Sequence, residues 1–241
     1  MSTLDSYAAL IRPVIDRVYV GLRRASREQV REVYQRYGTR PSLEIDCYFG
    51  LLARPMPAPA YAAVTAYRQP SVEEVLAPGT VTVDEAGTWR LTELGREVAL
   101  AVQLAVARGA QQAWSNPPIA TMPGLAVVPR LADLIGRLLD AGCATGGPAY
   151  AAMVPAYEPP DASPAVRLTT RLGALRHHRA DAHRAAWQAA GLSAEQIVAM
   201  PDGPERQAIE AETNRRDEPI YRALTQDERL ELLAGLAALP G

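Results

Sequence analysis

One stretch of the chain, residues 71–98, constrains the fold more than any other. Ser71 precedes a short helical piece at 72–76, and residues 80–83 alternate apolar and polar as a strand does. Residues 84–87 supply a turn, and 88–91 alternate again. Thr92 is then placed to cap a long helix running through Glu97, Val98, Leu100 and Leu104 toward Trp114. Helix, hairpin and capped helix in this order predict a small β-hairpin wing on a body that the rest of the sequence makes helical.

That body reads as follows. Residues 4–37 hold two helices, the first capped by Asp5 or Ser6 and carrying Leu10, Val14, Ile15 and Val18 at helical spacing. The second starts at Ser26, with Glu28 and Gln29 in its first turn, and ends near Gly38. Residues 43–52, with Tyr48 and Phe49, read as a buried helix, and five prolines between Pro41 and Pro70 mark turns and breaks around it. Residues 116–118 read as a linker, 131–139 as an amphipathic helix ending at Gly142, and 144–164 as a proline-rich loop. The longest helix spans 166–190; Ser193 and Glu195 open a short one, and 204–216 and 225–239 complete an all-helical end. The expected architecture is mainly α, in two packed helical halves. Residues 1–115 carry the hairpin, 116–164 the linker, a helix and the loop, and 165–241 the C-terminal helices.

Composition removes several chemistries. The formal charge of −2 leaves no global basic field, so any nucleic-acid contact needs a local patch. No lysine occurs, and all 25 of the lysine-plus-arginine cations are arginine. A side-chain Schiff base and a P-loop lysine are therefore excluded, and charge recognition passes through guanidinium forks suited to carboxylates and phosphates. Gly146, Gly147 and Pro148 read as a turn rather than a phosphate loop. Cys47 and Cys143 belong to no metal-ligand spacing and read as buried thiols in a reducing compartment. The first residues lack the apolar run of a signal peptide and no stretch is long enough to span a membrane, so the expected location is the cytoplasm. With one phenylalanine and three tryptophans, stacking platforms for single-stranded nucleic acid are not expected.

The three histidines, His177, His178 and His183, fall within seven residues on the longest helix. At about 100° per residue, Leu168, Leu172, Leu175, Ala182, Ala186 and Ala189 form one apolar stripe. Arg176, Arg179, His183 and Trp187 run along its edge at i, i+3, i+7 and i+11. His177, Asp181, Arg184 and Gln188 fall on another face, read as solvated and self-paired. Two guanidiniums at a core edge require a negative partner. Glu158, Glu205, Glu210 or Glu212 could supply it internally; otherwise a bound carboxylate or phosphate would, and His183 could act as an acid or base. No spacing of histidines supports a metal, and no cofactor is implied. Tyr150 and Tyr157 flank the proline-rich loop and could cover a pocket.

Leu91, Thr92, Gly95 and Arg96 form the Leu-Thr-x-x-Gly-Arg helix start that follows the wing in MarR-like winged-helix proteins, which the chain resembles over about thirty residues. A second stretch, with Leu175, Arg176, His178, Arg179, Asp181 and His183, resembles a helix in a group of actinobacterial winged-helix proteins. Its Leu-Arg-x-His-Arg-x-Asp-x-His pattern gives more weight to His178 and Asp181 than the helical wheel does. Glu210, Thr213 and Asn214 are similar to the next helix of that group. In that group a wing follows the histidine helix, whereas here it precedes it.

The resemblance implies a winged-helix homodimer that senses a small anionic molecule and binds double-stranded DNA. Arg176, Arg179, His183, Trp187, His178, Asp181, Tyr150 and Tyr157 are the candidate ligand-binding residues, and His183 is the catalytic candidate if the protein is an enzyme. Arg23, Arg24, Arg27, Arg31 and Arg90 are the candidate DNA contacts. Against DNA reading by the helix ahead of the wing stand Glu73, Glu74, Asp84 and Glu85, which repel phosphate. An enzyme of specialised metabolism and a structural or partner-binding protein remain the alternative expectations.

Overall fold

The computed structural model describes residues 4–68, 70–115 and 124–241, which form twelve α-helices and one two-stranded sheet. The linker expected at 116–118 lies outside the described residues.

Helices α1 (Leu4–Ala25) and α2 (Arg27–Arg36) meet at Ser26. The first begins at Leu4, ahead of the expected cap. Ser26 does not cap α2 through its side chain; its buried hydroxyl donates back to the Leu22 carbonyl at 2.7 Å, so the elbow is held from the α1 side. Gly38, at φ +61°, ends this unit in the left-handed region that glycine tolerates.

Next come α3 (Ile45–Ala53), buried along most of its length, α4 (Ala58–Val64) and α5 (Val72–Leu76). The sequence reading missed α4 because it took the surrounding prolines as breaks. Pro59 sits in the helix's first turn, where a missing N–H costs no hydrogen bond. Ser71 and Glu74 form a reciprocal capping box on α5.

Strands β1 (Val81–Val83) and β2 (Trp89–Leu91) pair antiparallel with Val81 opposite Leu91 and Val83 opposite Trp89. Met56, between α3 and α4, adds an isolated bridge to Trp89. Helix α6 (Glu93–Ser115) starts at the expected cap, the Thr92 hydroxyl accepting the Gly95 N–H at 2.9 Å. A Cβ on Gly95 would lie 1.7 Å from the Thr80 carbonyl oxygen, so only glycine lets this helix start lie against the strand's entry.

The remaining helices are α7 (Val128–Gly142), α8 (Pro148–Met153), α9 (Pro164–Ala189), α10 (Ala194–Ala199), α11 (Pro204–Asp217) and α12 (Gln226–Ala238). Helix α8 lies inside the expected proline-rich loop, again with proline in its first turn. Helix α9 is central and packs against α1, α3, α6, α7, α8 and α11. Its Leu168, Leu172 and Leu175 meet Val102 and Val106 of α6, Leu134, Ile135 and Leu138 of α7, and Ile11, Ile15 and Val18 of α1 in one core. Arg17 of α1 donates to the carbonyls of Leu236, Ala237 and Leu239, tying the end of α12 to α1. A smaller cluster of Ala186, Trp187, Ile197 and Ile209 joins the end of α9 to α10 and α11.

Three expectations need correction. Ala189 is exposed, because the stripe ends with the helix. Cys143 is exposed just beyond α7, while Cys47 is buried in α3. Most of the face of α9 read as solvated is covered: Asp181 is buried and His177 and Arg184 are nearly so, while Gln188 is exposed. A helix enclosed by six others buries its polar face as well, and pairs it.

Candidate functional site

Helix α9 distributes its ionisable groups into three connected networks. On the side of α8, the Asp181 carboxylate accepts the N–H groups of Ala149 at 3.3 Å and Tyr150 at 2.8 Å, which open that helix. Arg184 pairs with Asp181 and donates its other nitrogen to the Ala63 carbonyl of α4 at 2.9 Å. A Cβ on Gly147 would come within 2.8 Å of the Asp181 carboxyl carbon, so glycine permits the close approach. Asp181 and Arg184 are thus self-paired as expected, but inside the protein.

Facing α1 and α3, the buried Asp46 receives the Tyr19 hydroxyl and the Arg23 guanidinium, both at 2.5 Å, with His177 Nε2 at 3.8 Å. Burial opposes ionisation of this carboxyl, yet Arg23, His177 and the Tyr19 hydrogen bond hold its pKa below the ordinary carboxylate value. Burial pushes His177 down, so it faces Asp46 as a neutral ring at neutral pH. Arg176 lies over the Tyr19 ring at 3.9 Å and reaches Asp16 at 3.1 Å.

Behind the helix, both nitrogens of the buried His178 are engaged, Nε2 with the Thr145 hydroxyl at 2.9 Å and Nδ1 with Asp217 at 2.7 Å. The Tyr221 hydroxyl donates to the other Asp217 oxygen at 3.1 Å, and Arg179 Nη1 stands 3.5 Å away.

A cleft of about 230 Å³ opens where α1, α9 and α11 meet, with Tyr67 at its edge. Arg12, Arg176, Arg179 and Arg206 line it, opposed by two carboxylates, Asp16 and Glu210. Glu210 takes Arg12 at 2.7 Å and Arg179 at 3.1 Å. Arg179 Nη1 is buried and has no hydrogen-bond partner. That nitrogen faces Asp217 rather than solvent, but the cleft as a whole holds more guanidinium than carboxylate, the arrangement an anion satisfies.

His183 also lines the cleft. Trp187 donates its indole N–H to the Tyr67 oxygen at 3.0 Å, which leaves the Tyr67 proton for His183 Nδ1 at 2.7 Å. The imidazole proton then sits on Nε2, directed toward Glu210 at 3.8 Å. Burial lowers the His183 pKa, with Arg179 and Arg12 adding to it against Glu210.

Of the sequence-derived residues, Arg176, Arg179 and His183 come together in the cleft. Trp187 is buried behind it and acts through Tyr67. His178 and Asp181 sit in the flanking networks. Tyr150 is buried with its hydroxyl on the Leu139 carbonyl, and Tyr157 packs under Arg96; neither reaches the cleft. Sequence reasoning missed Arg12, Asp16, Tyr67, Arg206 and Tyr221. The Arg12–Asp16 pair at i, i+4 beside Ile15 was the available signal for α1.

The candidate DNA contacts divide. Arg23 turns inward to Asp46, whereas Arg24, Arg27, Arg31 and Arg90 are exposed, with Arg31 on Glu28 and Arg90 3.6 Å from Asp84. Glu73 and Glu74 of α5 and the hairpin residues Asp84 and Glu85 are exposed too. No helix of the described residues is long and apolar enough to cross a membrane.

No curated protein and no solved structure matches the chain. The sequence profile of the helix-turn-helix family does, over residues 25–205, a span that contains α4, α5, the hairpin and the whole of α9. The chain belongs to the helix-turn-helix family.

Proposed function

We propose that this chain is a MarR-like winged-helix sensor and transcriptional regulator that binds a small carboxylate or phosphate in the cleft between α1, α9 and α11. The observation carrying the ligand reading is the charge of this cleft, where four arginines face two carboxylates, Asp16 and Glu210.

Family membership supports the regulator reading, and so does the order of elements. Helix α3, the Met56 bridge, α4, α5, β1 and β2 follow one another as in a winged helix, with Met56 and β1 on opposite sides of β2. The Thr39 hydroxyl donates to the Pro78 carbonyl at 3.2 Å, placing the end of α2 beside the end of α5. Arg24, Arg27 and Arg31 then offer the phosphate contacts that acidic α5 cannot. Leu10 and Leu230, both exposed on helices joined by the Tyr7–Arg229 hydrogen bond, support a homodimer through the terminal helices.

Acid–base catalysis by His183 is the second reading, favoured by its neutral ring and the Nε2–H directed into an arginine-lined cleft.

The test is fluorescence anisotropy of a duplex from upstream of the gene, with and without succinate or inorganic phosphate. Selective, salt-sensitive binding that an anion changes at least about threefold in the wild type, and not in Arg179→Ala, is the expected result. Equal affinity for a random duplex removes the regulator reading; an unchanged anion effect in Arg179→Ala removes the cleft.

A further inference from the structure

A second cavity, about 560 Å³, lies outside the cleft, in the elbow where α1 turns into α2 and the chain enters α3. Its walls combine Val30, Ile45 and the ring of Tyr34 with the cations of Arg23, Arg27 and Arg40. None of the described residues lining it is acidic. Arg27 and Arg40 are exposed and stand outside the ion pairs formed by the other arginines nearby, Arg23 with Asp46 and Arg31 with Glu28.

Two polar atoms at the elbow are buried and unused. Tyr34 is 5% exposed, and its hydroxyl has no hydrogen-bond partner. Arg23 commits Nη2 to Tyr19 and Asp46, while its Nη1 is buried and unpartnered. Burial raises the Tyr34 pKa, so the phenol keeps its proton and remains a donor. Buried polar groups without partners are uncommon, and two around one cavity ask for an acceptor.

We propose that this elbow is a second ligand site, distinct from the cleft, and that it takes a carboxylate bearing an apolar body. The carboxylate meets the Tyr34 hydroxyl and Arg23 Nη1, Arg27 and Arg40 supply attraction at the rim, and the apolar body fills the space against Val30 and Ile45. A bare phosphate would leave those walls uncovered, and a cavity of this size holds a small organic molecule.

Titration calorimetry with octanoate tests this on the full chain. The expected result is saturable binding, weakened about tenfold in Tyr34→Phe and at least as much in Arg27→Ala/Arg40→Ala. Tyr34→Phe keeps the ring and removes a hydroxyl that has no partner, so its melting temperature without ligand does not fall. Arg179→Ala binds octanoate like the wild type, which separates this site from the cleft. Absence of saturable binding overturns the proposal, as does unchanged affinity in Tyr34→Phe. Loss of octanoate binding in Arg179→Ala overturns it as well, because the ligand would then occupy the cleft.

Discussion

Arg179 and Glu210 are 3.1 Å apart across the cleft, and Glu210 is shared with Arg12 at 2.7 Å. One carboxylate thus pairs with two guanidiniums, leaving them a net positive charge while competing with any anion that enters. Glu210→Gln keeps the shape and removes the charge. The affinity for succinate or inorganic phosphate should rise about fivefold, roughly 1 kcal/mol for a partly exposed charge. Calorimetry on the variant checks this, and an affinity equal to the wild type's would mean that the anion binds elsewhere.

Asp181 is buried and serves Arg184 and the first N–H groups of α8 together. Asp181→Ala leaves Arg184 without its carboxylate and two amides without an acceptor, and should cost about 3–5 kcal/mol in urea unfolding. Gln188→Ala, two turns further along α9 and exposed, should stay within about 0.5 kcal/mol. Similar losses in both would contradict the placement of Asp181 in the interior.

Gly95→Ala should destabilise by about 3 kcal/mol, because its Cβ would occupy the place of the Thr80 carbonyl oxygen. Thermal unfolding reads the loss. A neutral effect would mean that the start of α6 is not seated on the strand.

His177 and His183 both have pKa values lowered mainly by burial. Between the folded and unfolded pKa, the unfolded chain binds more protons, so stability rises with pH there. It is lost as pH falls below the unfolded value of about 6.5. Asp46, Arg176, Asp181 and Glu44 act on His177, and Glu210, Arg179, Arg12 and Arg206 on His183. Asp46 is held low and stays ionised through this window. The melting temperature should therefore fall from pH 7 to pH 5, and less steeply in His177→Gln/His183→Gln. A slope unchanged by the double substitution would assign the effect to other groups.

The hairpin and most helices were legible because their signals are local. Thr92 and Ser193 cap where such residues cap, and periodic leucines mark α9. Helices α4 and α8 were not, since a proline in a first turn looks like a proline in a break. Arg176, Arg179 and His183 were legible as a row on one helix. Their company was not: Arg12 and Asp16 arrive from α1, Tyr67 from the segment after α4, and Arg206 from α11. No spacing encodes such convergence. The covered face of α9 was misread for the same reason, since a helical wheel shows periodicity but cannot count how many helices surround it.

The most direct test of the central claim is the calorimetric titration of succinate into the wild type and Arg179→Ala at equal ionic strength. Saturable one-site binding that weakens at least about tenfold in the variant is the predicted result. Equal affinity in the two proteins, or no saturable binding in either, would contradict an anion site built on Arg179.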